Sequence, residues 1–428
     1  MPTGVFEEWE RRGLVFQHTA SGAADALDRG GLTGYIGFDP TAPSLHVGSL
    51  LPVTVLMRLQ RAGHRPIFVV GGGTGMVGDP GGKDSERPLL DRDTLAANTA
   101  ALRAQLERFV DFDGPRGALL VDNAEWLAPA RLLDFLRDIG KHFSVNAMIQ
   151  RDSVKRRLET RDHGISYTEF SYMMLQAYDF LELHDRYGCT LQLGGSDQWG
   201  NIVSGADLIR RLRGVEAHGI TFPLLMRADG KKFGKSEQGN VWIDPDLTSP
   251  YEFYQFWLNA ADDDVGNLLK QFTFLPLDAI TDLEATVLTD PARRAAQRTL
   301  AGEMVRLVHG AAALTRVERS TRVLFGGGQL AELDAQALAE AFKSTPRTVV
   351  KRADLEAGRA GLAHLLAVSG LSPSGRRARQ DIESCAVTVN DRRMTDPAYT
   401  LSSDDLLDGG FVVLRRGKKT YHVITVVG

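Results

Sequence analysis

Two stretches far apart in the chain carry residues suited to handling a nucleoside triphosphate. In Tyr35-Ile36-Gly37-Phe38-Asp39-Pro40-Thr41-Ala42-Pro43-Ser44-Leu45-His46-Val47-Gly48-Ser49, a strand ends at an Asp, turns through two prolines and starts a helix near His46. His46 and Thr41 can donate to phosphate oxygens, Gly48 lets an adenine ring approach the backbone, and the helix N-terminus adds a field that favours anions. In Lys232-Phe233-Gly234-Lys235-Ser236, two lysines three apart flank a glycine inside the polar run Asp229 to Asn240. On a loop joining an α/β part to a helical part, that pair can cover a triphosphate and neutralise the charge developing on pyrophosphate. Taken singly, the first stretch is a surface His before an ordinary helix and the second a solvated basic loop.

A third constellation lies on a helix. Tyr172, Gln176 and Asp179 stand at i, i+4 and i+7, which puts them on one stripe. A phenol needs a hydrogen-bond donor and an acceptor at one point, and Tyr35 from the first strand with Asp179 from this helix can supply them. Gln176 and Tyr172, one and two turns back from Asp179, can then address an ammonium group. An amphipathic face against the core is the competing reading, and an Asp and a Gln beside Tyr172 argue against it.

Gly73-Thr74-Gly75-Met76-Val77-Gly78 matches G-x-G-x-x-G behind the apolar run Ile67 to Val70, with Asp93 at a distance suited to a ribose. A dehydrogenase would need a helix to open at the last glycine, its N-terminus holding the pyrophosphate. Asp79-Pro80-Gly81-Gly82 follows instead and opposes a helix there. Gly82-Lys83-Asp84 also fails as a Walker loop, lacking the first glycine and the hydroxyl. The glycines are read as a decoy.

The elements that must position these residues follow from hydrophobic periodicity. Over residues 1–225, short β-like runs alternate with helical ones, predicting a Rossmann-like parallel sheet that binds its ligand at the carboxyl ends of the strands. Residues 226–345 carry the lysine loop and then a mostly helical pattern. Residues 346–360, with Pro346, Gly358 and scattered charge, are expected to be a linker. Residues 361–428 read as two short helices followed by strands, a separate α+β module.

Bulk properties limit the choices. At 428 residues with 43% hydrophobic and 24% charged side chains, the chain is an ordinary globular protein of two or three domains. A net charge of −4 does not advertise a polyanion partner, yet residues 361–428 hold nine Lys/Arg against seven Asp/Glu. Cys189 and Cys385 are too few for a disulfide framework or a cysteine-based zinc site and are expected as packing residues in a reducing compartment. No apolar run approaches a membrane span, and Glu7, Glu8 and Glu10 do not suit a signal peptide, so a cytoplasmic protein without membrane association is expected.

In this order, and at a domain junction, the two phosphate-handling stretches resemble the paired signatures of class I aminoacyl-tRNA synthetases. Tyr35 to Thr41, Gly75-Met76-Val77-Gly78-Asp79-Pro80, Tyr172-Met173-Met174-Leu175-Gln176-Ala177-Tyr178-Asp179, Gly194-Gly195-Ser196-Asp197-Gln198-Trp199-Gly200-Asn201 and Ser249 to Trp257 narrow the resemblance to the bacterial tyrosyl-tRNA synthetase family across essentially the whole chain. The resemblance implies ATP-dependent activation of L-tyrosine and its transfer to tRNA(Tyr). A ligase for another aromatic amino acid and a catalytically silent RNA-binding protein are the alternatives.

Several residue roles rest on this resemblance alone. It implies that Asp79 joins Tyr172 and Gln176 around the ammonium group, that Asp197 and Gln198 hold the ribose and the substrate, and that Asp39 lies near the adenylate ribose. It implies that Lys83 and Arg87 are further pyrophosphate ligands and that Ser236 closes the second signature with a hydroxyl. Ser49 stands where His is commoner in the family. ATP enters as a substrate accompanied by Mg²⁺, with no resident protein metal expected. The tail resembles an S4-type RNA-binding domain, with Arg376, Arg377 and Arg379 on a capped helix start and Arg415, Arg416, Lys418 and Lys419 at a strand turn. Arg210 and Arg211 are expected to meet the acceptor stem, and the family implies a homodimer.

Overall fold

A computed structural model describes residues 4–20, 22–78, 90–151, 154–155, 165–226, 233–236, 239–326, 328–417 and 420–427, giving the backbone alone at 235, 236 and 326. The chain divides into two compact units, residues 1–244 with 260–300, and 245–259 with 301–428.

The first unit is built on a six-stranded sheet: β1 (Gln17–His18), β2 (Thr33–Phe38), β3 (Arg65–Val70), β4 (Leu119–Asp122), β5 (Leu191–Gly195) and β6 (His218–Phe222), ordered β1-β6-β5-β2-β3-β4. Strands β2 to β6 run parallel, and β1 pairs antiparallel with β6 at one edge. A parallel strand covered on both faces should be apolar along its length, and Pro66-Ile67-Phe68-Val69-Val70 of β3 is buried throughout. The helix Leu50–Arg61 covers one face, its Leu59 packing against Gly34. The helices Tyr167–Tyr187 and Trp199–Arg213 cover the other, where Ala177, Phe180, Leu208 and Ile209 share a core with Tyr35, Ile67, Val69 and Val121.

Local sequence sets the ends of the long helix Tyr167–Tyr187. The Ser166 side chain accepts from the Glu169 N–H at its start, and Gly188, at φ 64°, closes it in the left-handed region. The helix Leu50–Arg61 is tied down through buried Arg58. Its guanidinium donates to the carbonyl oxygens of Lys270 and Thr273 and lies 4.5 Å over the Phe274 ring, anchoring the helix to the end of the helix Asp262–Phe272. Burial lowers the Arg58 pKa to about 9, which leaves it charged near neutral pH.

In the second unit, the helix Pro250–Leu258 starts with a capping box between Ser249 and Glu252. A five-stranded sheet follows: β9 (Arg347–Lys351), β10 (Val387–Val389), β11 (Arg392–Arg393), β12 (Phe411–Arg416) and β13 (Thr420–Val427), ordered β11-β10-β12-β13-β9. A two-stranded ribbon of β7 (Lys235–Ser236) and β8 (Gly239–Asn240) belongs to the first unit. The expected helices Leu362–Val368 and Gly375–Glu383 are present with those bounds.

Two expectations are corrected here. Residues 346–360 are not a linker: β9 pairs in parallel with β13, from Arg347 opposite Val423 to Lys351 opposite Val427, and Leu355 and Ala360 are buried in the core of the module. Cross-strand pairing to distant β13 overrides the polar local composition. Cys189 is buried as expected, but Cys385 is exposed. Among the described residues, no helix is long and apolar enough to cross a membrane.

Candidate active site

The chain leaves β2 for β3 on one side and returns through β5 on the other. The carboxyl ends of β2 and β5 therefore flank the switch point at which an open α/β sheet binds its ligand. Tyr35 of β2 and Gln192 of β5 are the last register partners before the two strands part toward those ends. Both are buried, and the Tyr35 hydroxyl and Gln192 Oε1 have no hydrogen-bond partner among the described residues. A buried polar atom left unpaired costs about 1–3 kcal/mol, which a complementary ligand group would recover. Gly37, two residues along β2 on the Tyr35 face, has open space where a side chain would stand.

Asp179 comes to the same point from the helix Tyr167–Tyr187. Its carboxylate is buried and accepts from Asn123 Nδ2 at 3.0 Å and from Trp126 Nε1 at 2.7 Å. Burial pushes the carboxyl up to about 7, those two donors pull it down, and the charges of Asp39 and Glu182 add to the rise. Burial and then the Asp179 charge raise the Tyr35 phenol well above its ordinary range. The Phe180 ring packs 5.3 Å from that of Tyr35 in the shared core.

Asn123 and Trp126 are functional candidates that the sequence reading missed. Their signal was faint: a polar pair, Asp122-Asn123, at the carboxyl end of β4, and a buried Trp needing an acceptor for its N–H. Asn123 also accepts from the N–H groups of Gly73 and Thr74, while Asp122 accepts from that of Gly72. The glycine loop thus spends these amides on protein oxygens, and the decoy reading acquires a structural reason.

A second polar chain involves Gln176, one turn before Asp179 on the same helix. Asn201 Nδ2 donates to Gln176 Oε1 at 3.0 Å and to Gln198 Oε1 at 3.1 Å, and Gln198 Nε2 donates to Asp197 at 3.3 Å. Gln176 and Gln198 are half-buried, Asp197 is exposed and Tyr172 is buried. The expected stripe therefore faces inward, with Asn201 as a link that had no role assigned to it.

The two phosphate-handling signatures meet. His46 precedes a single turn, Val47–Ser49, and its Nδ1 accepts from the Gly48 N–H at 3.0 Å. An Nδ1 that accepts leaves the neutral ring's proton on Nε2, so the imidazole presents a donor. A Cβ on Gly48 would lie 2.8 Å from His46 Cε1, so the glycine is needed for the ring to fold back on it. Gly234, at φ 96°, packs against the same turn: a Cβ there would lie 3.2 Å from Val47 Cγ2 and 3.3 Å from the Gly48 nitrogen. The Val47 N–H donates to Val241, and the Val241 N–H to Gly234, which stitches the loop to the turn. The Trp242 ring stands edge-on to His46 at 6.3 Å. Thr41 is exposed and its N–H donates to the Asp39 carbonyl at 2.9 Å; the Ser49 N–H donates to the His46 carbonyl at 2.8 Å. Asp39 borders the glycine loop, 2.9 Å from where a Gly71 side chain would begin. Asp79, Lys83, Arg87 and Lys232 lie outside the described residues, as do the side chains of Lys235 and Ser236.

A family model of tRNA synthetases class I (W and Y) matches residues 28–326, and one of the tyrosine–tRNA ligase SYY-like C-terminal domain matches residues 337–424. The tyrosine–tRNA ligase of Roseiflexus castenholzii is 49% identical over 426 residues, covering 99% of this chain and 100% of that protein. The chain belongs to the tyrosyl-tRNA synthetase family. The tyrosine–tRNA ligase of Mycobacterium leprae is 51% identical, covering 98% of each chain. Among solved structures, a C-terminally truncated mitochondrial tyrosyl-tRNA synthetase from Aspergillus nidulans superposes with a TM-score of 0.67 at 34% identity, covering 76% of this chain and 94% of that one.

The arginines expected to meet RNA in a tyrosyl-tRNA synthetase differ in their surroundings. Arg210 and Arg211 both pair with Asp207, Arg211 at 2.6 Å. Arg376 and Arg379 are exposed on the helix Gly375–Glu383, whose first turn is capped by Ser374. Arg377 and Arg416 pair with Asp381, each at 2.9 Å, and Arg415 lies 5.8 Å over the Tyr421 ring. Lys418 and Lys419 lie outside the described residues.

Proposed function

We propose that this chain activates L-tyrosine with ATP and transfers the tyrosyl group to tRNA(Tyr). The tyrosine carboxylate attacks the α-phosphate in line, giving tyrosyl-adenylate and pyrophosphate. The 2′-hydroxyl of the terminal tRNA ribose then takes the acyl group and AMP departs. Neither step needs a protein nucleophile, so the rate comes from positioning and from stabilising charge at the phosphate.

The observation that carries the reading is the buried Tyr35 hydroxyl, unpartnered among the described residues, beside the Asp179 carboxylate. Tyr35 donates to the substrate phenol oxygen and Asp179 accepts the phenol proton. A phenylalanine ring in that place would leave the Tyr35 hydroxyl unpaired and offer Asp179 no hydroxyl to accept from. At the amino-acid end, Gln176, linked through Asn201 to Gln198, serves with Tyr172 and Asp79 around the ammonium group. Asp39, Gly48 and Asp197 serve the nucleoside. His46 through Nε2–H, with Thr41, Ser49, Lys83, Arg87, Lys232, Lys235 and Ser236, faces the phosphates, which bring Mg²⁺ with them as part of the substrate.

Residues 1–225 carry activation and residues 226–345 the loop and helical part, while the RNA-binding module begins at 346, so that β9 belongs to it. Arg210, Arg211 and the tail residues Arg376, Arg377, Arg379, Arg415, Arg416, Lys418 and Lys419 serve tRNA. Exposed Leu132, Leu133, Leu136, Val145, Ile149 and Tyr167 support a homodimer that covers them. Two unpaired cysteines suit the cytoplasm.

Pyrophosphate exchange into ATP, run separately with tyrosine, tryptophan and phenylalanine, tests the reading. Exchange is expected with tyrosine alone; its absence with tyrosine would overturn the assignment.

A further inference from the structure

We propose that Asp381 is a positioning residue for tRNA binding: its buried carboxylate holds Arg377 and Arg416, which come from different elements, as one preset fork for the RNA phosphate backbone. The inference rests on the reading that the tail binds tRNA.

Asp381 lies on the helix Gly375–Glu383 with its side chain 3% exposed. Arg377 Nε, from the same helix, stands 2.9 Å from Oδ1, and Arg416 Nε, from the end of β12, stands 2.9 Å from Oδ2. The buried Ser372 hydroxyl donates to Oδ2 at 2.8 Å, and Arg416 Nη1 donates to the Leu371 carbonyl at 2.7 Å. Beyond these contacts neither guanidinium hydrogen-bonds a described residue, and the Arg377 and Arg416 side chains remain 53% and 32% exposed. The acid is therefore sunk beneath the surface while both cations keep an open edge.

This is not the usual surface ion pair, in which an exposed acid and base hold each other loosely. A planar guanidinium whose orientation is already fixed loses less freedom on meeting a phosphate than a solvated one does. Arg376 and Arg379, on the same helix, have no carboxylate partner among the described residues and supply charge without orientation. The trio keeps a net charge of +1, two arginines against one aspartate.

The bland alternative, that Asp381 only pins the helix to β12, predicts an effect of opposite sign. Asp381→Asn adds one positive charge to the face, so electrostatics alone would tighten RNA binding and steepen its salt dependence. Positioning predicts weaker cognate binding. The test uses the full chain and measures binding of tRNA(Tyr) and of a non-cognate tRNA between 50 and 200 mM salt, with tyrosine-dependent pyrophosphate exchange as the check on folding.

For D381N the expected result is about tenfold weaker binding of tRNA(Tyr) and of the non-cognate tRNA alike, a salt slope shallower by about 1 for both, and exchange at the wild-type rate. R416Q should show a similar loss. Wild-type or tighter tRNA(Tyr) binding by D381N beside a weakened R416Q overturns the inference alone. Wild-type binding by both R416Q and R377Q overturns the inference together with the reading of the tail. If D381N does not fold, Ser372→Ala, which removes one tether and keeps every charge, should weaken tRNA(Tyr) binding about twofold to threefold, and wild-type binding there overturns the inference.

Discussion

At Asp179 two opposing effects meet in one carboxylate: burial favours the protonated form, and the N–H groups of Asn123 and Trp126 favour the anion. With the folded value near 7 and the ordinary one near 4, the folded chain holds this proton more tightly than the unfolded chain does. The contribution to stability is therefore greatest below pH 4 and is lost as pH rises through 7, a change on the order of 4 kcal/mol at most. Asp179→Asn should flatten that part of the stability profile, read as a difference in Tm between pH 5 and pH 8. The anion is also the form that accepts a phenol proton. In pyrophosphate exchange, kcat/KM for tyrosine should thus rise from pH 5.5 to a plateau above about 7, with the fold intact in D179N but the plateau lost. Trp126→Phe removes a donor that pulls the pKa down, so its exchange profile should move to higher pH at a cost of about 1–2 kcal/mol in denaturant unfolding. An unmoved profile would count against this role for Trp126. Tyr35, Tyr172, Gln176 and Asp179 were legible in the sequence because a helix stripe and a strand residue are local patterns. Asn123 and Trp126 were not, since their role depends on β4 lying beside β3, which brings them to Asp179 across 56 and 53 residues.

Between elements, the telling contact is the approach of Gly234 to the turn at Gly48. The loop fits because neither position carries a side chain, and Gly234 adopts a positive φ that other residues resist. Gly234→Ala should cost about 1–3 kcal/mol in the contact between Gly234 and the turn at Gly48, roughly a tenfold or greater fall in exchange kcat, with Tm within a few degrees of wild type. Gly48→Ala should act through the His46 ring instead, turning it away from its Gly48 N–H contact and lowering the exchange rate about tenfold to a hundredfold. Unchanged exchange rates in both variants would show that the contact does not serve activation. The sequence placed both segments and their order, but it marked no strand at β1, β6 or β9. It could not show that the two segments touch, because the 185 residues between Gly48 and Gly234 carry no periodic signal of that contact.

At the scale of the whole chain, the composition of 346–360 pointed to a linker, whereas β9 is an edge strand of the tail sheet. Local polarity misled because the stabilising partner of β9, β13, lies more than 70 residues away. Two truncations separate the consequences. A chain ending at residue 326 should keep tyrosine-dependent exchange and lose at least tenfold in tRNA charging; the two C-terminally truncated mitochondrial relatives cover 74% and 76% of this chain. A chain ending at residue 360 keeps β9 without β13, exposes Val350 and Leu355, and should aggregate or be clipped by protease near 347. If the longer fragment proves the better behaved, β9 does not depend on β13.

The pairing of β9 with β13 also orders events during synthesis. The catalytic sheet has all its strands once residue 222 has emerged from the ribosome, so its interior can close while the tail is still being made. The tail sheet cannot: its strand at 347–351 must wait, with neither edge paired, until residues 420–427 can lie beside it. For that interval the nascent chain holds a formed amino-acid site and an unfinished RNA module, and a stop codon late in the message would release protein in that condition.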